Sequence, residues 1–341
     1  MLRALPPVPF AVTARRAWRV RGLPRGKLIF AARWLVTALA LWVVLRSIDL
    51  GAVVDLIGRA APLALGVAGL VVIAQFAVLV WRWQLVIRIL GGPILGGKAV
   101  GFGPLALLLG HSFLIGQVLP SSVGGDVART VLLSRSTGVA AAARSVICDR
   151  LLGFAALALL VVPTVPVIAE MIGSVTPFLT LAICALGIMT AVALFLAYSL
   201  TYGLPWLGRH LATVVGDLRI TLRSGKIGLV AMALGIGSSL LGVLLLYIIG
   251  SAIGADLRAL DCLVLVPPVL LVSALPISLG GWGVREGALV AAFSLVHADP
   301  AAVAATSVMF GLTTPLVGGI AAAIALLPGM GDIAAGSRDD G

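Results

Sequence analysis

The chain has 341 residues, 61% of them hydrophobic and only 11% charged, with a mean hydropathy of +1.17. That composition excludes a soluble globular domain and marks a polytopic membrane protein. The formal net charge of +11 does not point to nucleic acid, because the basic residues sit at the ends of apolar runs and no helix-turn-helix, RNA-recognition or zinc-finger pattern occurs.

In chain order, residues 1–27 come first, with seven basic residues and no acid. Arg15-Arg16 superficially matches a twin-arginine signal, but no small-residue cleavage site follows the apolar run that starts near Leu28. The segment is expected to be a cytoplasmic arm that orients the first span. Hydropathy then predicts six full spans, at about 28–46, 62–87, 149–169, 177–198, 228–250 and 301–328, each near the ~20 residues that cross a bilayer. Residues 329–341 read as a short polar tail.

Two further apolar stretches, about 100–136 and 261–296, are each interrupted by the same motif. Leu119-Pro120-Ser121-Ser122-Val123-Gly124-Gly125-Asp126-Val127-Ala128-Arg129 aligns without a gap on Leu275-Pro276-Ile277-Ser278-Leu279-Gly280-Gly281-Trp282-Gly283-Val284-Arg285, giving the frame LPxSxGGxxxR. Charge decides how these stretches lie. If the first crossed the membrane, Arg129, Arg135, Arg144 and the 199–227 loop would fall outside, against the positive-inside bias. If both are re-entrant, the inside collects the N-terminal arm, Arg88, Lys98, Arg135, Arg144, Arg209, Arg219, Arg223 and Lys226. The outside then keeps only Arg46, Arg59 and Arg258, with Asp49, Asp55, Glu170, Asp256 and Asp299.

The expected fold is therefore an all-α polytopic membrane protein of six full transmembrane helices plus two re-entrant helical hairpins, eight apolar segments in all. Residues 28–328 form the membrane domain, with an inverted repeat over about 62–169 and 228–328. Both termini are expected in the cytoplasm and the chain in the inner (plasma) membrane.

The motif has a chemical logic. Pro120 and Pro276 end the first arm of each hairpin and act as hinges. Gly124-Gly125 and Gly280-Gly281 permit reversal and close backbone approach. The helix that follows offers free N–H groups and a positive dipole end to an anion. Arg129 and Arg285, about one turn further on, add a guanidinium fork suited to phosphate. These residues and Trp282, a stacking or anchoring group, are the candidate substrate contacts.

The copies differ. Asp126 stands where the second has Trp282, and the second carries Glu286 beside Arg285. Asp126 and Arg129, at i,i+3, suit a pairing clamp; a buried carboxylate also suits proton or cation uptake. Asp149-Arg150 opens the predicted 149–169 span and reads as an interfacial anchor or as a gate or headgroup ligand. Asp126, Asp149, Arg150 and Glu286 are thus candidate coupling or gating groups. Trp81-Arg82-Trp83 reads as an aromatic-belt anchor, with a headgroup contact as the other reading. Scattered Cys148, Cys184 and Cys262 and isolated His111, His210 and His297 give no metal spacing, and no cofactor is expected.

The runs LPSSVGGDVARTVLLSR at 119–135, CDRLLGF at 148–154 and LPISLGGWGVREGALV at 275–290 resemble the lysylphosphatidylglycerol synthase transmembrane, or flippase-like, family. The resemblance covers about 29–328. It implies a lipid flippase or transporter without synthase activity, moving an anionic or modified phospholipid or glycolipid headgroup between leaflets, not an enzyme. It also implies membrane lipids as partners, with a homo-oligomer or a lipid-biosynthesis enzyme as a further one. A membrane glycosyltransferase using polyprenyl-phosphate sugar and an accessory subunit of a cell-envelope pathway are the competing readings.

Overall fold

The computed structural model describes residues 50–94, 100–118, 124–172, 205–274 and 281–325. The expected spans at 28–46 and 177–198, both chain ends, and Pro120, Pro276 and Gly280 lie outside the described residues. Within them every regular element is helical. The order is α1 (Leu50–Gly58), α2 (Pro62–Ile94), α3 (Phe102–Val118), α4 (Gly124–Thr137), α5 (Val139–Val161) and α6 (Thr164–Ile172). Then follow α7 (Pro205–Arg223), α8 (Lys226–Ala252), α9 (Ala259–Ser273), α10 (Val284–Phe293), a 3₁₀ turn at Ser294–Val296, and α11 (Pro300–Ala325).

Helices α2, α8 and α11 are long and apolar enough to cross a bilayer, and they coincide with the predicted spans at 62–87, 228–250 and 301–328. Their outward residues, among them Leu63, Leu70, Ile73, Leu229 and Leu316, are apolar and exposed. A continuous apolar exterior of that kind requires lipid, not water, around it. Prolines 62 and 300 occupy first helical positions, where a missing N–H costs nothing. Asp299 caps α11, accepting from the Ala301 and Ala302 amides at 3.2 and 3.1 Å.

The predicted span at 149–169 is corrected in two ways. Its helix starts at Val139, so Asp149 and Arg150 lie in mid-helix rather than at a boundary. It also breaks at Val162-Pro163, where α5 and α6 bend by 49°; the pair counts as a fourth span only if taken together. Hydropathy treats Asp149-Arg150 as solvated and so places the boundary there, whereas partners on other helices let both sit inside. The 199–227 segment, expected as a loop, contains α7. Its Asp217 is buried and bound in a fork by Arg144 of α5, with Nε–Oδ2 at 2.6 Å.

Helices α2 and α8 pack antiparallel. The Ala61 amide donates to the Ala252 carbonyl at 2.7 Å, and further along Gln75 Nε2 donates to the Ser238 carbonyl at 2.9 Å. Around that pair, α3 lies on α4 and α11, and α9 lies on α10 and α5. Small residues set the α3–α11 distance: a Cβ on Gly110 would come within 2.1 Å of the Ala321 Cβ. Two main cores result. Trp83, Ile87, Leu105, Leu133 and Val146 fill the first half; Cys262, Leu265, Leu289, Phe293 and Ala305 fill the second.

Candidate functional site

Helix α4 begins at Gly124, just after the 119–123 segment, and packs against α3. A Cβ on Gly125 would lie 2.7 Å from the Ser112 carbonyl oxygen, so only glycine allows this approach. The first turn of α4 then presents Asp126, and the next turn Arg129. Arg129 bonds Asp126 Oδ1 from both Nη2, at 2.8 Å, and Nε, at 3.1 Å, which is the i,i+3 pairing expected from the sequence.

The pairing does not stop there. Arg129 Nη1 also reaches Asp149 Oδ2 on α5 at 3.2 Å. Asp149 is held from its other side by Arg82 of α2, with Nε–Oδ1 at 2.8 Å and Nη2–Oδ2 at 3.3 Å. Arg150 closes on Asp126 Oδ2. The five groups form one chain, Arg82–Asp149–Arg129–Asp126–Arg150, tying α2, α4 and α5 together.

Arg82 is the residue that sequence reasoning assigned elsewhere. For Arg82 and Trp83 the anchor reading is overturned, since α2 continues to Ile94 and both lie buried within it. Trp81 is half-exposed, whereas Trp83 is fully buried with the Arg129 guanidinium 5.1 Å over its ring. The available signal was a guanidinium in an apolar helix too long to end at it, which requires a buried carboxylate partner.

This ion chain lines a cavity of about 390 Å³. Its wall also includes Ser112, Phe113, Gly125 and Phe154 from the first half, and Ser273, Ala274 and Thr314 from the second. Three guanidinium groups against two carboxylates leave one net positive charge in an enclosure that is otherwise largely apolar. That excess of positive charge in a partly desolvated site makes the cavity electrostatically complementary to an anion. The N-terminal end of α4, from which Gly125 faces the cavity, adds a dipole of the same sign.

The second copy of the motif is built differently. Gly281 and Gly283 adopt φ of 83° and 81°, conformations that favour glycine, and bring the chain into α10. Glu286 caps its own helix, accepting from the Gly283 amide at 2.6 Å, and also pairs with Arg285. Ser307 of α11 donates to Glu286 Oε1 and accepts from Arg285 Nε, both at 3.3 Å. The Arg285 guanidinium lies 4.9 Å over the Trp282 ring and 5.8 Å over Phe310. A Cβ on Gly311 would fall 2.0 Å from Arg285 Nη2. Arg285 is thus enclosed on every side the structure describes.

The structure therefore brings Gly125, Asp126, Arg129, Asp149 and Arg150 to one cavity, with Gly124 buried beside them. Trp282, Arg285 and Glu286 do not line it and cluster instead around Ser307, Phe310 and Gly311, one to two turns of α11 away from Thr314, while Gly281 packs on Ser273 of the cavity wall. Comparison with curated proteins gives no match. The model of the family described as lysylphosphatidylglycerol synthase TM region matches residues 30–322, which takes in both motifs and the whole ion chain, and the chain belongs to that family.

Proposed function

We propose that the protein is a lipid flippase that moves an anionic or modified phospholipid or glycolipid headgroup between the leaflets of the inner membrane, without catalysing a chemical reaction. The observation that carries this reading is the cavity with one net positive charge, sited where residues of α9 and α11 complete a wall built by α2 to α5. A headgroup phosphate there is held by the forks of Arg129 and Arg150 while its acyl chains stay in the bilayer.

Transport follows from an inverted repeat in which α2 to α5 correspond to α8 to α11, and α3–α4 and α9–α10 are re-entrant hairpins opening to opposite sides. The correspondence is supported by packing: α2 lies antiparallel on its counterpart α8, and the α3–α11 contact is matched by an α9–α5 contact. Membership of the family, a membrane domain, is consistent with lipid handling. Membrane lipids are the partners in this reading, and both termini are cytoplasmic; a second copy or a biosynthetic enzyme is a further partner that it accommodates.

Lipid analysis of the protein extracted in native-lipid discs tests the reading. An anionic lipid enriched over the bulk membrane, and lost from Arg129→Gln, is the expected result. A retained lipid population identical to the bulk membrane in both proteins would overturn it.

A further inference from the structure

We infer that a headgroup anion enters the cavity together with one proton, which Asp126 accepts. The inference rests on the headgroup reading above and adds a coupling ion to it.

The two carboxylates of the ion chain are not equivalent. Asp149 is the deep one, its side chain 4% exposed, and it accepts two bonds from Arg82 and one from Arg129. Arg82 itself is wedged in place, since a Cβ on neighbouring Gly153 would lie 3.1 Å from its Nη1. Asp126 is nearer the mouth, its side chain 15% exposed, and its partners are Arg129 and the still more exposed Arg150.

A phosphate arriving through the mouth therefore meets the cations that hold Asp126. Arg129 is bound to Asp149 through Nη1 alone, so that contact survives; its Nε–Nη2 edge is the one engaged with Asp126. That edge is the geometry that grips a phosphate with two parallel hydrogen bonds. The phosphate and Asp126 compete for one fork.

When the phosphate takes the fork, Asp126 loses both bonds from Arg129, keeps the partly exposed Arg150 as its remaining cation, and faces a second anion. Two such charges a few ångströms apart do not both stay ionised in a poorly solvated site. A proton from the aqueous mouth adds to a carboxylate oxygen of Asp126, and the resulting O–H donates to a phosphate oxygen. Only hydrogen bonds break, and the site gains one proton and one headgroup together.

The groups facing Asp126 allow this assignment. Arg129 comes from its own helix, Asp149 and Arg150 from α5, and Arg82 from α2. Helices α3, α9 and α11 contribute Ser112, Ser273 and Thr314, which do not titrate. His111 on α3 bonds the Leu107 carbonyl and does not line the cavity.

The test is titration calorimetry of the purified full chain with dihexanoyl phosphatidylglycerol below its micelle concentration, near neutral pH, in two buffers of different ionisation enthalpy. The buffer dependence of the heat gives protons taken up per lipid bound. Uptake of about one proton per lipid bound is expected for the wild type, and close to none per lipid bound for Asp126→Asn, whatever the variant's affinity. Binding without proton uptake in the wild type overturns the coupling and leaves the headgroup reading standing. No binding in the wild type overturns the headgroup reading and the coupling with it. Undiminished uptake in Asp126→Asn overturns the assignment to Asp126. The wild-type measurement stands whether or not the variant folds.

Discussion

Arg82 and Asp149 face each other across the α2–α5 contact, joined by hydrogen bonds of 2.8 and 3.3 Å, with both side chains almost fully removed from solvent. Breaking one partner of a buried pair strands the other, at a cost of about 3–5 kcal/mol. Arg82→Ala should therefore lower the thermal unfolding temperature in detergent markedly. Arg82→Lys, which keeps the charge but loses the fork, should fall between. An unchanged melting temperature for Arg82→Ala would remove the chain's structural role.

Gly311 gives a second test, independent of the cavity. Gly311 lies on α11 and its neighbour in three dimensions is Arg285 of α10, whose guanidinium an alanine Cβ would meet. Overpacking of this kind costs about 1–3 kcal/mol. The control is Gly319→Ala on the same helix, where nothing lies within 4 Å of the new Cβ and helix propensity gains about 0.5–1 kcal/mol. Thermal unfolding of the two variants should shift in opposite directions.

The α5–α7 junction predicts an asymmetry. Asp217 is buried, with 2% of its side chain exposed, while Arg144 shows 31% of its side chain to solvent. Removing Arg144 leaves a buried carboxylate without its cation, a cost of about 1–3 kcal/mol. Removing Asp217 leaves a cation that water reaches. Arg144→Ala should destabilise more than Asp217→Ala, as read by protease cleavage near α7.

These contacts show what the sequence could disclose. The Asp126–Arg129 pair was legible because both residues sit on one helix at i,i+3, a local relationship. The start of α4 at the paired glycines was legible because Gly124 and Gly125 have local backbone consequences. Arg82 was not, because its partner is 67 residues away and a charge beside two tryptophans is also the pattern of an interfacial anchor. The start of α5 was missed for the same reason: hydropathy counts Arg144, Asp149 and Arg150 as solvated, whereas each is paired across a helix contact. Helix α7 escaped because charged residues interrupt its apolar ones before they make a span-length run, and the fully buried positions among its described residues, Asp217 and Thr221, are polar.

The different fates of the two motifs were only half visible. Asp126 against Trp282 and Glu286 marked the copies as unequal. That the first opens on a cavity while the second encloses its arginine between two rings, Ser307 and Gly311 depends on α11, which the motif does not include.

Leaflet exchange reads out whether the cavity carries a lipid headgroup across the membrane. Purified protein in liposomes containing a fluorescent anionic phospholipid is treated with a membrane-impermeant quencher, and the slow phase of quenching gives the exchange rate. Wild-type protein should accelerate exchange, and Arg129→Gln and Arg150→Gln should each lower the rate by about tenfold or more, the equivalent of losing one charge-assisted contact of ~1.5–3 kcal/mol. Exchange no faster than in protein-free liposomes, or undiminished in both variants, would contradict the account.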